Sequence, residues 1–442
     1  MSTPSPPWTY CAHGADPAAD PIGCRGIRVP SHTACLAHLS DTDRATYLAS
    51  LTPGADIDHR GTPFTQDLLD QLFSALRDPT TGKPHMGTVQ LSQALFSGNA
   101  WFDGAQFSGD ARFGGAQFFG DAWFGGAQFS GDAWFGEAQF SGDAGFGEAH
   151  FSGNAGFGEA HFSGEAGFGE AHFSGNAWFR RAHFSGNAWF RGAHFSGEAW
   201  FGEVQFSGDA LFDEAQFSGT AGFVGARFAV ASGWGPFVCA GVVDLSGAVF
   251  EVPVTLEIAA SEVRCDRTRW ESTATVRLRY ATADLGHAVL SAPVAVTAHP
   301  VPFTSSPGDP VDESVLSGCH DGVRVASMQG VDAAHLVLTD TDLTDCLFSG
   351  AFHLDQLRLE GRTVFALTPT GWNRHGIRLT RWTRRRTLAE EHHWRAQTAG
   401  QPAPPPGHTP SPRQWRPGPY HPPPPPPPPP PDRAPPQPPP PQ

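Results

Sequence analysis

Phenylalanine returns every eleven residues from Phe96 to Phe228, thirteen times in register, and no other feature constrains what this chain can fold into as strongly. A second Phe series at the same period runs from Phe102 to Phe223, so the two together alternate steps of six and five. The unit is Phe-Ser-Gly-Asp-Ala-Trp-Phe-Gly-Glu-Ala-Gln, as at 129–139. Eleven residues are close to three helical turns, the period of a right-handed coiled coil. The fixed Gly residues argue against a helix, since each would cost about 1 kcal/mol against Ala. The internal pair Ala-x-Phe has a spacing of two, which puts Ala and Phe on one side of an extended segment and the middle residue on the other. Each unit then reads as a very short strand followed by a polar, Gly-containing corner that can take positive φ. Such strands bury a face only by stacking on copies of themselves, which makes a solenoid.

At "AQFSGDAWFGEAQFSGDAGF", 127–146, the sequence resembles the pentapeptide-repeat family, whose unit is a small residue, any residue, Leu or Phe, then two polar residues. Weaker copies follow in "VDLSGAVF", "TADLGHAVL" and "LVLTDTDLTDCLF". The resemblance implies an all-β solenoid, a right-handed quadrilateral β-helix with four short faces to a coil. The six-residue alternate step departs from the strict pattern and implies about 22 residues per coil rather than about 20. Residues one coil apart would stack at roughly 4.8 Å. Phe96, Phe102, Phe107, Phe113, Phe140, Phe146, Phe184 and Phe190 then belong to the core, each contributing on the order of 1.5–3 kcal/mol by burial. Inward Ala leaves room for them.

One residue per strand points outward. One outward series runs through Gln residues to His150, His161, His172, His183 and His194 and back to Gln. His150, His172 and His194 should form one ladder, with His161 and His183 on the opposite face. Stacked imidazoles can hold a metal or change charge together near pH 6, but Gln and His also serve as interchangeable solubilising residues. The other series carries Trp101, Trp123, Trp134, Trp178, Trp189 and Trp200, interrupted by Arg112, Gly145, Gly156, Gly167 and Leu211. Exposed Trp can anchor a partner, which makes Trp178, Trp189 and Trp200 candidate interaction residues; repeat duplication of a tolerated Trp would give the same pattern.

Net charge is −15, and residues 94–230 hold fifteen Asp and Glu against five Arg, a net of −10. An acidic chain repels nucleic acid and anionic membranes, so direct DNA or RNA binding is not expected. The family resemblance admits a different relation to DNA, since some members imitate the duplex and occupy a type II topoisomerase such as DNA gyrase. Acidity also simply keeps a solenoid soluble.

Ahead of the repeats, "CAHGADPAADPIGCRGIRVPSHTACLAH" gathers Cys11, His13, Cys24, Cys35 and His38 in a chain that has seven cysteines. Cys11, Cys24, Cys35 and His38, with His13 in reserve, can supply one tetrahedral structural Zn²⁺ site; unrelated free thiols are the alternative. "FTQDLLDQLFSALRD", 64–78, spaces Leu68, Leu69, Leu72, Phe73 and Leu76 on one helical face and suits an N-terminal cap over the open Phe edge.

The expected organisation is a Cys/His segment over 1–60, a helical cap region over 61–93, regular repeats over 94–230, and a degenerate continuation over 231–365 with a loop near 299–314. A helical C-terminal cap follows over 366–400, with a candidate helix at 378–398, and a Pro-rich tail over 401–442 that reads as polyproline II and disordered.

No Gly-x-Ser-x-Gly, phosphate-binding loop or dinucleotide fingerprint is present, and periodic corners account for the acids and glycines, so no enzyme is expected. Scarce Lys and Ile beside abundant Ala, Gly and Arg suggest a GC-rich, bacterial genome. The N-terminal sequence lacks a basic-then-apolar leader and no apolar run could span a bilayer, which points to the cytoplasm. The expected role is a rigid scaffold for protein partners, with topoisomerase binding as the alternative.

Overall fold

The computed structural model describes residues 5–367, apart from residues 17, 231–232, 306–307 and 321, together with the short stretches 373–375, 378–380, 386–388 and 390. It divides into a unit ending at Ala366 and a second beginning at Leu367.

The first unit is a parallel β-solenoid whose walls are two-residue strands such as Gln139–Phe140 and Ala144–Gly145. Register fixes the coil length: His150 pairs with His172 and Ala122 with Ala144, and coil-to-coil hydrogen bonds such as Asn154 to Asp132 span the same sequence separation of 22. Four walls result. The first has eleven strands, from Pro63–Phe64 to Val289–Leu290. The second has six, from Ala100–Trp101 to Ala210–Leu211. The third carries the Gln106 to Gln216 series, and the fourth carries Arg112, Trp134, Gly156, Trp178, Trp200 and Gly222.

Inward Phe and Ala are buried throughout, as the alternation of large and small side chains requires. Successive coils stack their rings in parallel, Phe96 on Phe118 at 4.6 Å and Phe118 on Phe140 at 4.8 Å. Across the coil the rings meet edge to face, Phe113 on Phe124 at 5.5 Å. Ring quadrupoles favour both offset-parallel and edge-on contact, so strand spacing and ring electrostatics agree.

The two corner types solve different problems. In the regular repeats the corner does take positive φ, at its second residue as in Gly104, Gly115 and Gly126, while the Gly that follows each Ser does not. That Gly is required by close approach, since a Cβ on Gly153 would lie 2.5 Å from the Gly131 carbonyl oxygen one coil earlier. The positive-φ position falls just before the next inward Ala, and Glu occupies it at Glu137, Glu148, Glu159 and Glu170, with φ between 55° and 59°. The residue after the close-packed Gly accepts a backbone hydrogen bond from the next coil: Asp110 from Asp132 N–H, Asp132 from Asn154 N–H, Asn154 from Asn176 N–H. Asp and Asn therefore recur there as coil-to-coil connectors.

Beyond residue 232 the coil shortens. In the strands Gly233–Asp244 and Val254–Arg264 the register slips through two irregularities, between Trp234 and Phe237 and between Cys239 and Val242. Contacts from one coil to the next then span a sequence separation of 20, as from Arg277 to Glu257. The first wall keeps it as far as residue 290, pairing Val249 with Arg269 and Arg269 with Val289. The segment 299–322 leaves the wall and folds back on it. Its Phe303 and Leu316 are buried with the outward-facing Val238 and Ala259, and its Glu313 pairs with Arg279 at 2.8 Å.

At the N-terminal end, helix α1 spans Asp41–Ala49 and helix α2 Gln66–Ala75. Thr65 caps α2 by accepting from Leu68 N–H at 3.2 Å. The apolar face of α2 (Leu68, Leu69, Leu72, Phe73) is buried, and Phe73 meets the Phe102 ring edge-on at 5.0 Å. In the second unit Asn373–His375 and Arg378–Thr380 form an antiparallel pair, so the stretch expected to open a helix at residue 378 is a strand instead. Two extended runs so close in sequence satisfy each other's backbone groups by pairing locally, which removes the need for a helix. Most of 381–400 and the whole tail 401–442 lie outside the described residues.

Candidate metal centre and interaction surface

Cys11 lies in an extended segment whose N–H donates to the Gly26 carbonyl, while Cys24 bonds back to the His13 carbonyl. Cys35 caps the start of the short 3₁₀ turn Leu36–His38 and His38 ends it. These connections bring one atom from each of Cys11, Cys24, Cys35 and His38 within 4.8 Å of the others. Individual edges are 3.7 Å (Cys24 Sγ to Cys35 Sγ), 3.6 Å (Cys11 Sγ to His38 Nδ1) and 3.3 Å (Cys35 Sγ to His38 Nδ1). A tetrahedron with Zn–S of about 2.3 Å and Zn–N of about 2.0 Å has edges of about 3.8 and 3.6 Å, so the donor set could hold a metal ion of that size. Gly26 is needed beside it, because a Cβ there would sit 2.8 Å from Cys35 Sγ. Its N–H points at Cys24 Sγ from 3.4 Å, as an outer-sphere donor would. His13 is not among the converging donors; its ring stacks on His38 at 4.1 Å.

Cys24 is pushed down to about 5, chiefly because it accepts a hydrogen bond from the Cys35 thiol. Cys35 is pushed up by that same pairing and by burial. By contrast, Cys239 and Cys265 are each raised to about 12 by burial, and Cys346 is buried too; these are apolar fillers.

The outward ladders stand as the period implies. His150, His172 and His194 stack at 4.8 Å on the third wall, and His161 and His183 at 4.7 Å on the first. Partial burial, then the neighbouring imidazoles, push His172 and His183 below the usual histidine range, so protonation along each ladder is mutually opposed.

The Trp residues are less alike than their repeats. Trp178 and Trp200 pair in register on the fourth wall but are half-buried, whereas Trp101 and Trp189 on the second wall are 43% and 37% exposed. The glycines in these ladders explain the difference. Trp134 leans over Gly156 so closely that a Cβ there would sit 2.5 Å from its ring, and it stacks on Trp178 at 5.6 Å. Trp200 covers Gly222 in the same way. Sequence reading passed over Phe119, which is 54% exposed where the corner column otherwise carries Ser97, Ser141 and Ser163. The break in "AQFFGD" was the available signal.

Four overlapping stretches, 91–139, 124–171, 146–194 and 190–232, match a family described as pentapeptide repeats. Residues 91–232 of the solenoid are pentapeptide repeats. No curated protein and no solved structure matches the chain. Among the described residues, no helix is long and apolar enough to cross a membrane.

Proposed function

We propose that this pentapeptide-repeat solenoid is a non-enzymatic scaffold, working in the cytoplasm, that binds protein partners through outward aromatic residues. The observation that carries the reading is large apolar surface at positions where the fold needs none: Trp101, Phe119 and Trp189 project from the rod. Trp178, Trp189 and Trp200 are the residues to test, with the His150, His172 and His194 ladder beside them. The experiment is capture of host proteins by the full chain and by a variant with all three Trp replaced by Ala. Loss of a captured protein in the variant supports the surface; an unchanged set removes it.

Gyrase or another type II topoisomerase, engaged by imitation of DNA, is the second reading, favoured by the −10 charge over 94–230. It is weakened by the use of Asp110, Asp121, Asp132 and Asp143 as connectors between coils, a structural reason for acid at those corners. Gyrase supercoiling unaffected by micromolar chain would eliminate it. At the N-terminus, Cys11, Cys24, Cys35 and His38 hold one structural Zn²⁺, which ties a segment with little core of its own. Metal analysis of the purified full chain should return one Zn, lost on Cys24→Ser with Cys35→Ser; absence of Zn in the unaltered chain would rule the site out.

A further inference from the structure

The second wall reads, coil by coil, Trp101, Trp123, Gly145, Gly167, Trp189, Leu211. Trp123 leans over Gly145 as Trp134 does over Gly156 on the fourth wall, and Gly145 is buried beneath it. The fourth wall has one Gly between its Trp residues, and the lean closes that gap to a 5.6 Å stack. The second wall has two, so one coil is left uncovered. At Gly167 a Cβ would meet nothing within 4 Å. One added strand spacing of about 4.8 Å puts the faces of Trp123 and Trp189 about 10 Å apart. A flat group seated midway would be about 5 Å from each indole, inside the roughly 6 Å reach of a cation–π contact.

The rims of this slot select the sign of the occupant. Exposed Asp143 and Glu165 precede the two Gly strands, and exposed Glu148 and Glu170 follow them. Arg191, on the Trp189 coil, is paired with Glu214 at 3.0 Å. A polyanion or nucleobase strand is repelled. A guanidinium fits better than an ammonium, because it is planar, stacks on aromatic faces and forks onto carboxylates.

We propose that the Gly167 slot receives an arginine side chain of a basic protein partner, an inference that rests on the interaction-scaffold reading above and gives it a chemistry. The test is titration of the full chain with an acetylated, amidated Gly-Gly-Arg-Gly-Gly peptide, followed by Trp fluorescence, against the isosteric uncharged citrulline peptide. Arginine should bind saturably, and citrulline at least about fivefold more weakly. Gly167→Val fills the slot from an unstrained strand position and should abolish the difference, as should Trp189→Ala, whereas Trp134→Ala on the fourth wall should leave it unchanged. Thermal melts of each variant separate slot loss from unfolding. Equal binding of the two peptides, no saturable binding, or binding untouched in Gly167→Val overturns the slot. Should host-protein capture still depend on the three Trp residues in that event, the scaffold reading survives without it. Arginine selectivity with no host protein captured would leave the slot and remove the scaffold.

Discussion

The two stretches of solenoid share walls but not interiors. From residue 94 to 230 the coil-to-coil separation is 22 and the interior is lined by Phe and Ala. From 233 to 298 the separation is 20, and Leu256, Ile258, Val276, Leu278 and Val296 join Phe250 and Trp270 in the lining. Among the described residues the buried polar side chains are His59, Thr62, Thr268, Glu313, Ser327 and Thr341, and none lies between 94 and 230. Trp234 stands at the junction, touching Phe212, Phe223, Phe228, Phe237 and Phe250. Coil length thus follows the bulk of the inward side chains. The longer coil lets rings meet edge to face around the lumen, whereas in the shorter one Phe250 and Trp270 stack along one wall and aliphatic residues fill the rest.

The sharpest way to break this comparison is to empty the wide lumen. Phe168→Ala removes a ring stacked on Phe146 and Phe190 and edge-on to Phe157 and Phe179, and should cost about 3–5 kcal/mol. Leu278→Ala in the narrow coil should cost less, because smaller neighbours collapse further. Urea unfolding of the full chain measures both. Equal losses would mean that ring contacts add nothing beyond buried area.

The next effect concerns charge. His59, at the start of the solenoid, is buried, shares one hydrogen bond with Tyr47 Oη at 3.2 Å, and has no partner for Nδ1. Burial pushes it down to about 4 from 6.5. The unfolded chain therefore takes up this proton first. Stability is complete above pH 6.5 and falls by about 3 kcal/mol as pH drops toward 4. His59→Gln should flatten that decline. Hydrogen exchange should show the acid loss beginning near His59 while the non-polar coils hold. Loss beginning within 94–230 would contradict the contrast drawn above.

How much of this was legible in the sequence follows from the same physics. The Ala-x-Phe spacing specifies the inward faces, since it depends only on neighbours in the chain, whereas the Phe period gives a coil of 22 only together with the four faces that the family resemblance implies. The Cys and His residues were visible as a set, but convergence of Cys11 with His38 depends on backbone bonds such as Cys11 N–H to Gly26 that no spacing encodes. Gly145 and Gly156 looked like interruptions, and only stacking of coils shows them lying beneath Trp123 and Trp134. The fold-back of 299–322 was hidden because Val238 and Ala259, its landing site, read as ordinary strand residues.

A smaller change probes the narrow coil from the other side. Leu256 is fully buried between Trp234 and Val276 in register. Leu256→Phe should overpack it at a cost of about 1–3 kcal/mol. A neutral result would show that the shorter coil accommodates a ring on this wall too, as it does Phe250 and Trp270 on the first, and that coil length is set by the corners rather than by the lumen.

The smallest effect tests what the two regions have in common. Glu170 in the wide coil and Arg267 in the narrow one both hold positive φ, 55° in each case, just ahead of an inward small residue. A left-handed conformation costs a side-chain-bearing residue about 1–2 kcal/mol. Glycine avoids that strain but adds unfolded-chain entropy of about 0.4–1 kcal/mol. The Arg267 contact with Asp266 at 3.0 Å is largely exposed and offsets little. Glu170→Gly and Arg267→Gly should therefore each stabilise by about 0.5 kcal/mol, measured by thermal melting. Agreement between them would mean that one corner geometry serves both coil lengths, so that the difference in length is taken up elsewhere in the turn. A gain at Glu170 with a loss at Arg267 would place the difference in the corner itself.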